Sequence, residues 1–235
     1  MNLNEMNLPK IEQAAANDAG RPTLCSVNWT GREFQACDGW IAARVAPDNP
    51  PDDLPAIIHL DGWKLAQGEK ASLEITGKNT AWVDTGGGLI VVYNGADYYG
   101  LYPDLDVVGP KATIPTFTVD ARELASLGVA VKLSTSGGVK ASPDHEPKNL
   151  APVEVGSLKV VHYHEPPATI ELNAQLLLRL AQAIMLPVTV ARRHSYPVTL
   201  AINGKDHSPI MVYPATDQAG FVGYGLIMPL RNRDR

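Results

Sequence analysis

His162 and His164 stand two residues apart in a strand-like run. On a strand both imidazoles face one side, so with Glu165 or His145 they could take a metal ion. The spacing fits few zinc frameworks and leaves a third ligand unassigned. Ordinary strand histidines are the better reading, and no metal is expected. Asp144-His145-Glu146 has the residue types of acid–base chemistry but lies between Pro143 and Pro147, as a solvated loop would. Asp52-Asp53, also flanked by prolines, reads as a polar connector. Gly86-Gly87-Gly88 leads into a strand and not a helix, so it is a hairpin turn and not a phosphate cradle. The sequence has no Gly-x-x-x-x-Gly-Lys-Ser/Thr loop and no Gly-x-Ser-x-Gly elbow. A small β-rich hydrolase would lack its nucleophile. No catalytic residue and no cofactor are expected.

The elements around these residues are mostly short strands. The 235 residues are 45% hydrophobic and 19% charged, enough apolar content for a packed core. Twenty glycines and 19 prolines fit many turns. The net charge of -5 argues against phosphate binding over the whole surface, yet allows a nucleic-acid contact on one face. Cys25 and Cys37 are too few for a disulfide framework and read as reduced thiols. The N-terminus has no basic stretch before an apolar run, and no apolar run nears the ~20 residues of a membrane helix. A soluble, cytoplasmic protein is expected, with no membrane partner.

Strand-like runs cover Thr23 to Trp29, Glu33 to Cys37, Ser72 to Thr76, Thr80 to Asp84 and Leu89 to Tyr93. Later ones cover Val129 to Ser134, Leu158 to His164, Val188 to Ala191, Val198 to Ile202, Ile210 to Tyr213 and Phe221 to Met228. Four segments read as helices: Leu8 to Asp18, Asp61 to Gln67, Asp120 to Leu127 and Asn173 to Ile184. Asp61, Asp120 and Asn173 are good N-caps, because a short side-chain oxygen can accept a free helical N–H. Leu176, Leu177, Leu180 and Ile184 share one face of the last helix. Ile58-His59-Leu60-Asp61 and Ile170-Glu171-Leu172-Asn173 open their helices alike, at an offset near half the chain. This suggests a tandem repeat of two β-rich α+β domains, residues 1–112 and 113–235, each with two helices on one face.

Several motifs then stand in a telling order. Arg21-Pro22-Thr23-Leu24 precedes Gln35-Ala36-Cys37-Asp38-Gly39-Trp40. Tyr102-Pro103-Asp104-Leu105 precedes Val107-Val108. Ile170-Glu171-Leu172-Asn173 opens a Leu-rich helix, and Tyr224 runs on to Met228-Pro229-Leu230-Arg231. In this order they resemble the middle and last domains of the bacterial DNA polymerase III β sliding clamp, with the first domain missing. Trp40, Ile41 and Ala42 depart from the His, Arg and Leu of that family.

The resemblance implies the DNA clamp fold and a non-enzymatic processivity factor. Helices would line a hole around duplex DNA, touching phosphates through diffuse positive charge. Lys10, Arg21, Lys64, Arg122 and Arg179 are the implied channel residues, opposed by Glu12, Asp18 and Glu123. Six domains per ring imply a homotrimer of two-domain subunits. A hydrophobic pocket would take a short peptide from a polymerase or clamp loader. Its implied residues are Leu24, Cys37, Gly39, Trp40, Val108, Asn173, Leu176, Ser208, Leu226, Ile227, Met228, Pro229, Leu230 and Arg231. The alternative is a clamp-fold regulator or mimic that binds replication partners without encircling DNA.

Overall fold

A computed structural model describes residues 1–18, 20–77, 80–93, 101–109, 114–134, 138–141, 169–190, 193–202 and 208–230. Arg231, His145, Asp144, Glu146, and the run Leu158 to His164 with Glu165 lie outside the described residues.

Short strands separated by glycine turns give the first layer. β1 (Ser26–Trp29), β2 (Phe34–Cys37), β3 (Ile41–Pro47) and β4 (Ala56–His59) precede helix α1 (Leu60–Ala66). A meander follows, β5 (Ser72–Gly77), β6 (Thr80–Asp84) and β7 (Leu89–Tyr93), and then a single helical turn, α2 (Leu105–Val108). β8 (Ile114–Asp120) leads into α3 (Ala121–Leu127), β9 (Ala130–Ser134) and β10 (Gly138–Ala141). β11 (Thr169–Asn173) leads into α4 (Ala174–Ile184) and the small hairpin β12 (Val188–Val190) and β13 (Arg193–Ser195). The chain closes with β14 (Pro197–Ile202), β15 (Ile210–Pro214) and β16 (Phe221–Ile227).

Eight strands form one antiparallel sheet in the order β4-β1-β2-β3-β16-β15-β14-β8. Its central joint pairs β3 with β16 over seven positions, from Phe221 opposite Pro47 to Ile227 opposite Ile41. Separate sheets hold β10-β9-β11, β5-β6-β7 and β12-β13. Two arrangements recur: β4-β1-β2 is matched by β11-β9-β10, and the meander β5-β6-β7 by β14-β15-β16. In both, the strand entering a helix lies at the edge. The likeness of the two helix-opening tetrapeptides therefore has a structural counterpart.

Strand alternation sorts side chains onto two faces. Phe34, Ala36, Ile41, Ala43, Val45, Val212, Phe221 and Ile227 point into the main core with Leu177, Leu180 and Ile184 of α4. Burying such aliphatic side chains contributes about 1.5–3 kcal/mol each. Trp29, Phe34 and Trp63 form an aromatic corner of this core, with ring centroids 4.5 and 5.3 Å apart. The helices α1, α3 and α4 lie on this face. The turn α2 packs on the opposite, outer face, where Leu105 joins Cys37, Ala42 and Leu226 in a second, smaller cluster.

Asp120 and Asn173 cap α3 and α4 as their chemistry predicts, each accepting two backbone N–H groups. α1 begins one residue earlier than expected: His59 is its N-cap, and its Nδ1 accepts the N–H of Asp61. The expected helix over Leu8 to Asp18 is instead a four-residue 3-10 turn, Ile11–Ala14. Its N-cap, Lys10, makes no side-chain cap bond. Arg179 takes the carbonyls of Gln13 and Ala15, which a longer helix would need for its own ladder. The expected strand over Thr23 to Trp29 is likewise broken, because Pro22–Leu24 forms a 3-10 turn. The strands Ile41–Pro47, Ala56–His59, Ile114–Asp120, Gly138–Ala141, Thr169–Asn173 and Arg193–Ser195 carried no clear sequence signal. Among the described residues, no helix is long and apolar enough to cross a membrane.

Candidate functional site

The outer-face cluster starts from a turn. Asp38 accepts the N–H groups of Trp40 at 2.8 Å and Ile41 at 2.9 Å through Oδ1. Gly39 follows at φ 94°, a left-handed conformation that favours glycine. This tight turn ends the β2–β3 hairpin and leaves Trp40 57% exposed. The exposed indole is costly in water and marks a surface able to take a partner.

Beside it, the linker from Tyr102 to Val108 lies across the sheet. The Tyr102 hydroxyl donates to the carbonyl of Gln35 at 3.4 Å. Asp104 caps α2 by accepting the N–H of Asp106. Asp106 pairs with Arg44, which also donates to Glu33 from Nε at 2.7 Å. The Arg44 guanidinium lies 5.2 Å from the ring centre of Tyr224. These contacts hold Leu105 in the apolar cluster, with Leu24, Tyr102 and Met211 packed around Cys37, Ala42 and Leu226. Val107 and Val108 remain exposed on the same turn.

The end of the chain borders this surface. The Met228 N–H donates to the Trp40 carbonyl at 2.9 Å, and the Leu230 N–H to the Glu171 carbonyl at 2.8 Å. Met228, Pro229 and Leu230 are half-buried. The structure thus brings Leu24, Cys37 and Leu226 into one cluster and sets Trp40 against Met228. Asn173 and Leu176 lie farther along, at the start of α4, where Asn173 accepts from Gln175 and Leu176. Ile227 is fully buried in the main core, on the other face of β16 from Leu226. Ser208 is half-buried just before β15. Sequence reasoning missed Leu105, Tyr102 and Met211. The Tyr-Pro-Asp-Leu linker was the signal for Tyr102 and Leu105, and nothing short-range marks Met211, which lies on β15.

Burial pushes the Cys37 thiol up from its ordinary range, against a lowering hydrogen bond with Tyr102. Burial also raises the Tyr102 phenol well above its usual value, with Cys37 adding to it. Both are acids whose folded pKa lies above the unfolded one. Their contribution to stability is complete below the unfolded values and is lost as pH rises through the folded ones. Denaturant melts should therefore show stability falling above about pH 8.5, the region where an unfolded thiol ionises. A flat profile from pH 8 to pH 10 would contradict this burial.

Of the residues expected to face DNA, Lys64, Arg122 and Arg179 lie on α1, α3 and α4, whereas Lys10 and Arg21 stand just before 3-10 turns and Arg21 donates to the Asp38 carbonyl at 3.3 Å. Lys10, Arg21, Lys64 and Arg122 are exposed. Arg122 lies 5.5 Å from the ring centre of Tyr196. Arg21, Lys64 and Arg179 come together around a cleft of ≈ 570 Å³, but Glu12, Asp18 and Asp38 line it too. Arg179 is half-buried and committed: besides Gln13 and Ala15, it donates to Asp38 Oδ2 at 3.1 Å. Among the described residues, no group of three or more His, Cys, Asp or Glu side chains could hold a metal.

No family model matches the sequence, and no curated protein matches it. Solved structures do. A β sliding clamp of Pseudomonas aeruginosa bound to griselimycin is 18% identical, with a TM-score of 0.68 over 99% of this chain and 64% of its own. The clamp of Bacillus subtilis is 17% identical, with a TM-score of 0.65 over 97% of this chain and 62% of its own. A Helicobacter pylori β clamp bound to a DNA ligase peptide is 16% identical, with a TM-score of 0.61 over 94% of this chain and 60% of its own. This chain spans less than two thirds of the length of these clamps. Its fold is that of the bacterial DNA polymerase III β sliding clamp.

Proposed function

We propose that this protein is a DNA sliding clamp: a non-enzymatic, cytoplasmic processivity factor made of two clamp domains, residues 1–112 and 113–235. Three copies would close a six-domain ring around duplex DNA, with Lys10, Arg21, Lys64 and Arg122 facing the phosphates. A polymerase or clamp loader would dock a short peptide in the outer-face groove.

One observation carries the reading. Leu24, Cys37, Leu226 and Leu105 form an apolar floor, bordered by the exposed Trp40 and the segment Met228 to Leu230. An apolar floor with polar backbone edges suits an extended peptide. Replacing Met228 and Leu230 together by alanine should weaken binding of a peptide from the cognate polymerase about tenfold or more, while secondary structure stays unchanged. Fluorescence anisotropy reads the affinity. Unchanged binding would sink the groove assignment. Stimulation of that polymerase on a primed template tests the function itself.

The second reading is a clamp-fold regulator that binds the same partners without encircling DNA. The commitment of Arg179 to protein oxygens favours it, as do the three carboxylates in the cleft. Retention on nicked circular DNA that is lost on linearisation supports the ring; no retention supports the regulator.

A further inference from the structure

We propose that the cleft bordered by Asp18, Arg21, Lys64 and Arg179 takes a phosphate group, and that taking it weakens the peptide groove on the outer face. Arg179 links the two sites through Asp38. The inference rests on the groove reading above and adds its regulation.

One carboxylate serves both places. Asp38 Oδ1 accepts the N–H groups of Trp40 and Ile41 and so forms the turn that borders the groove. Asp38 Oδ2 accepts from Arg179 Nη1 at 3.1 Å, in the wall of the cleft. The Asp38 side chain is 10% exposed, so losing its cation is costly. The Arg179 side chain is 37% exposed, so a ligand in the cleft can reach it.

The cleft also holds the cations that a phosphate needs. The Lys64 ammonium is exposed and has no partner among the described residues. Arg21 donates to the Asp38 carbonyl, and its side chain is 55% exposed. Two of the three carboxylates in the cleft are already engaged. Glu12 Oε2 accepts from Trp63 and Gln67, at 3.2 and 3.3 Å, and Asp18 Oδ1 accepts the Gly20 N–H at 2.9 Å. The third is Asp38. Of the five N–H groups of Arg179, four are placed on Gln13, Ala15 and Asp38. The fifth is on Nη1, beside Asp38. A phosphate that takes it stands against the Asp38 carboxylate, and like charges this close repel. Nη1 therefore serves Asp38 or the phosphate. In the first state the Trp40 turn is held; in the second it loosens. By linkage, a bound peptide disfavours the phosphate by the same factor.

Fluorescence anisotropy of a labelled peptide from the cognate polymerase, on the full-length protein, reads the coupling. Inorganic phosphate is added in exchange for chloride at constant ionic strength, and a short DNA duplex in a second series. The peptide Kd should rise about fivefold at saturation, the lower end of ordinary coupling. A rise with inorganic phosphate supports a site for the free ion. A rise with the duplex alone supports a site for a nucleic-acid backbone. No rise in either series overturns the coupling and leaves the groove reading standing. A wild type that binds no peptide overturns both. Asp38→Asn tests the route, because its amide oxygen can form the turn but carries no charge to hold Arg179. Its Kd with and without the ligand should agree, and a response like that of the wild type overturns the route through Asp38. If this variant does not fold, hydrogen exchange on the wild type decides. Trp40 and Ile41 amides that exchange faster with phosphate or duplex support the coupling, and unaltered amides overturn it.

Discussion

Replacing Gly223 by alanine is expected to destabilise the protein by about 3 kcal/mol or more, at or above the usual cost of overpacking a core. A Cβ at this position would lie 2.0 Å from the Ile184 carbonyl oxygen and 2.9 Å from its carbon. Both are backbone atoms of α4, so no side-chain rotation relieves the clash. Either the helix lifts from β16 or the strand bends away from β3. Lifting the helix would expose Leu177, Leu180 and Ile184, which are fully buried. Bending the strand would break the joint that holds β16 to β3. For a chain of this size the loss corresponds to about 6–12 °C in melting temperature. Gly225→Ala should follow in the same direction, since its Cβ would lie 2.7 Å from the Ala42 carbonyl oxygen. Gly87→Ala is the control. Nothing lies within 4 Å of its Cβ, and its effect should stay within about 0.5 kcal/mol. A Gly223→Ala protein that melts with the wild type would show that α4 does not sit this close to the sheet.

Arg179→Ala is the second large loss, about 2–4 kcal/mol, as expected for removing a partly buried charge with several partners. The guanidinium ties α4 to two other pieces of the chain. Nε and one terminal nitrogen donate to Gln13, at 3.1 and 2.9 Å, and that same terminal nitrogen reaches Ala15 at 3.2 Å. The other terminal nitrogen meets Asp38, whose second oxygen forms the turn that presents Trp40. Its removal leaves two backbone carbonyls and a carboxylate without their donor. Arg179→Lys should recover little, because an ammonium on a flexible stem cannot match the planar fork. Denaturant titration of the three proteins measures this. The alanine variant should also bind the peptide more weakly, because the Asp38 turn loosens. A loss of DNA retention with unaltered stability would instead return Arg179 to the channel role that the clamp resemblance assigned to it.

How much of this was legible in the sequence follows from the range of each signal. The caps of α3 and α4 were legible because Asp120 and Asn173 act on N–H groups two or three residues away. The hairpin β6–β7 was legible because its turn is written in consecutive glycines. β3 was not: its alanines and arginine carry little strand preference, and it is a strand because β2 and β16 lie on either side. The first helix failed for a similar reason. Its residues favour a helix, but a side chain more than 160 residues later takes the carbonyls. The clamp resemblance grouped Leu24, Cys37 and Leu226, which the structure packs in one apolar cluster, yet it gave no sign that Leu105 packs with them.

By itself, then, the sequence determined the β-rich class, the capped helices, the lack of hydrolase and phosphate-loop motifs, and the order of the clamp-like segments. Each of these is set by neighbours along the chain. The tertiary structure decided the β3–β16 joint, the commitment of Arg179, the need for glycine at position 223 and the packing of Leu105 with Cys37, Ala42 and Leu226. Those depend on which distant segments meet, and the free energy of that meeting comes from burial and pairing across the whole sheet.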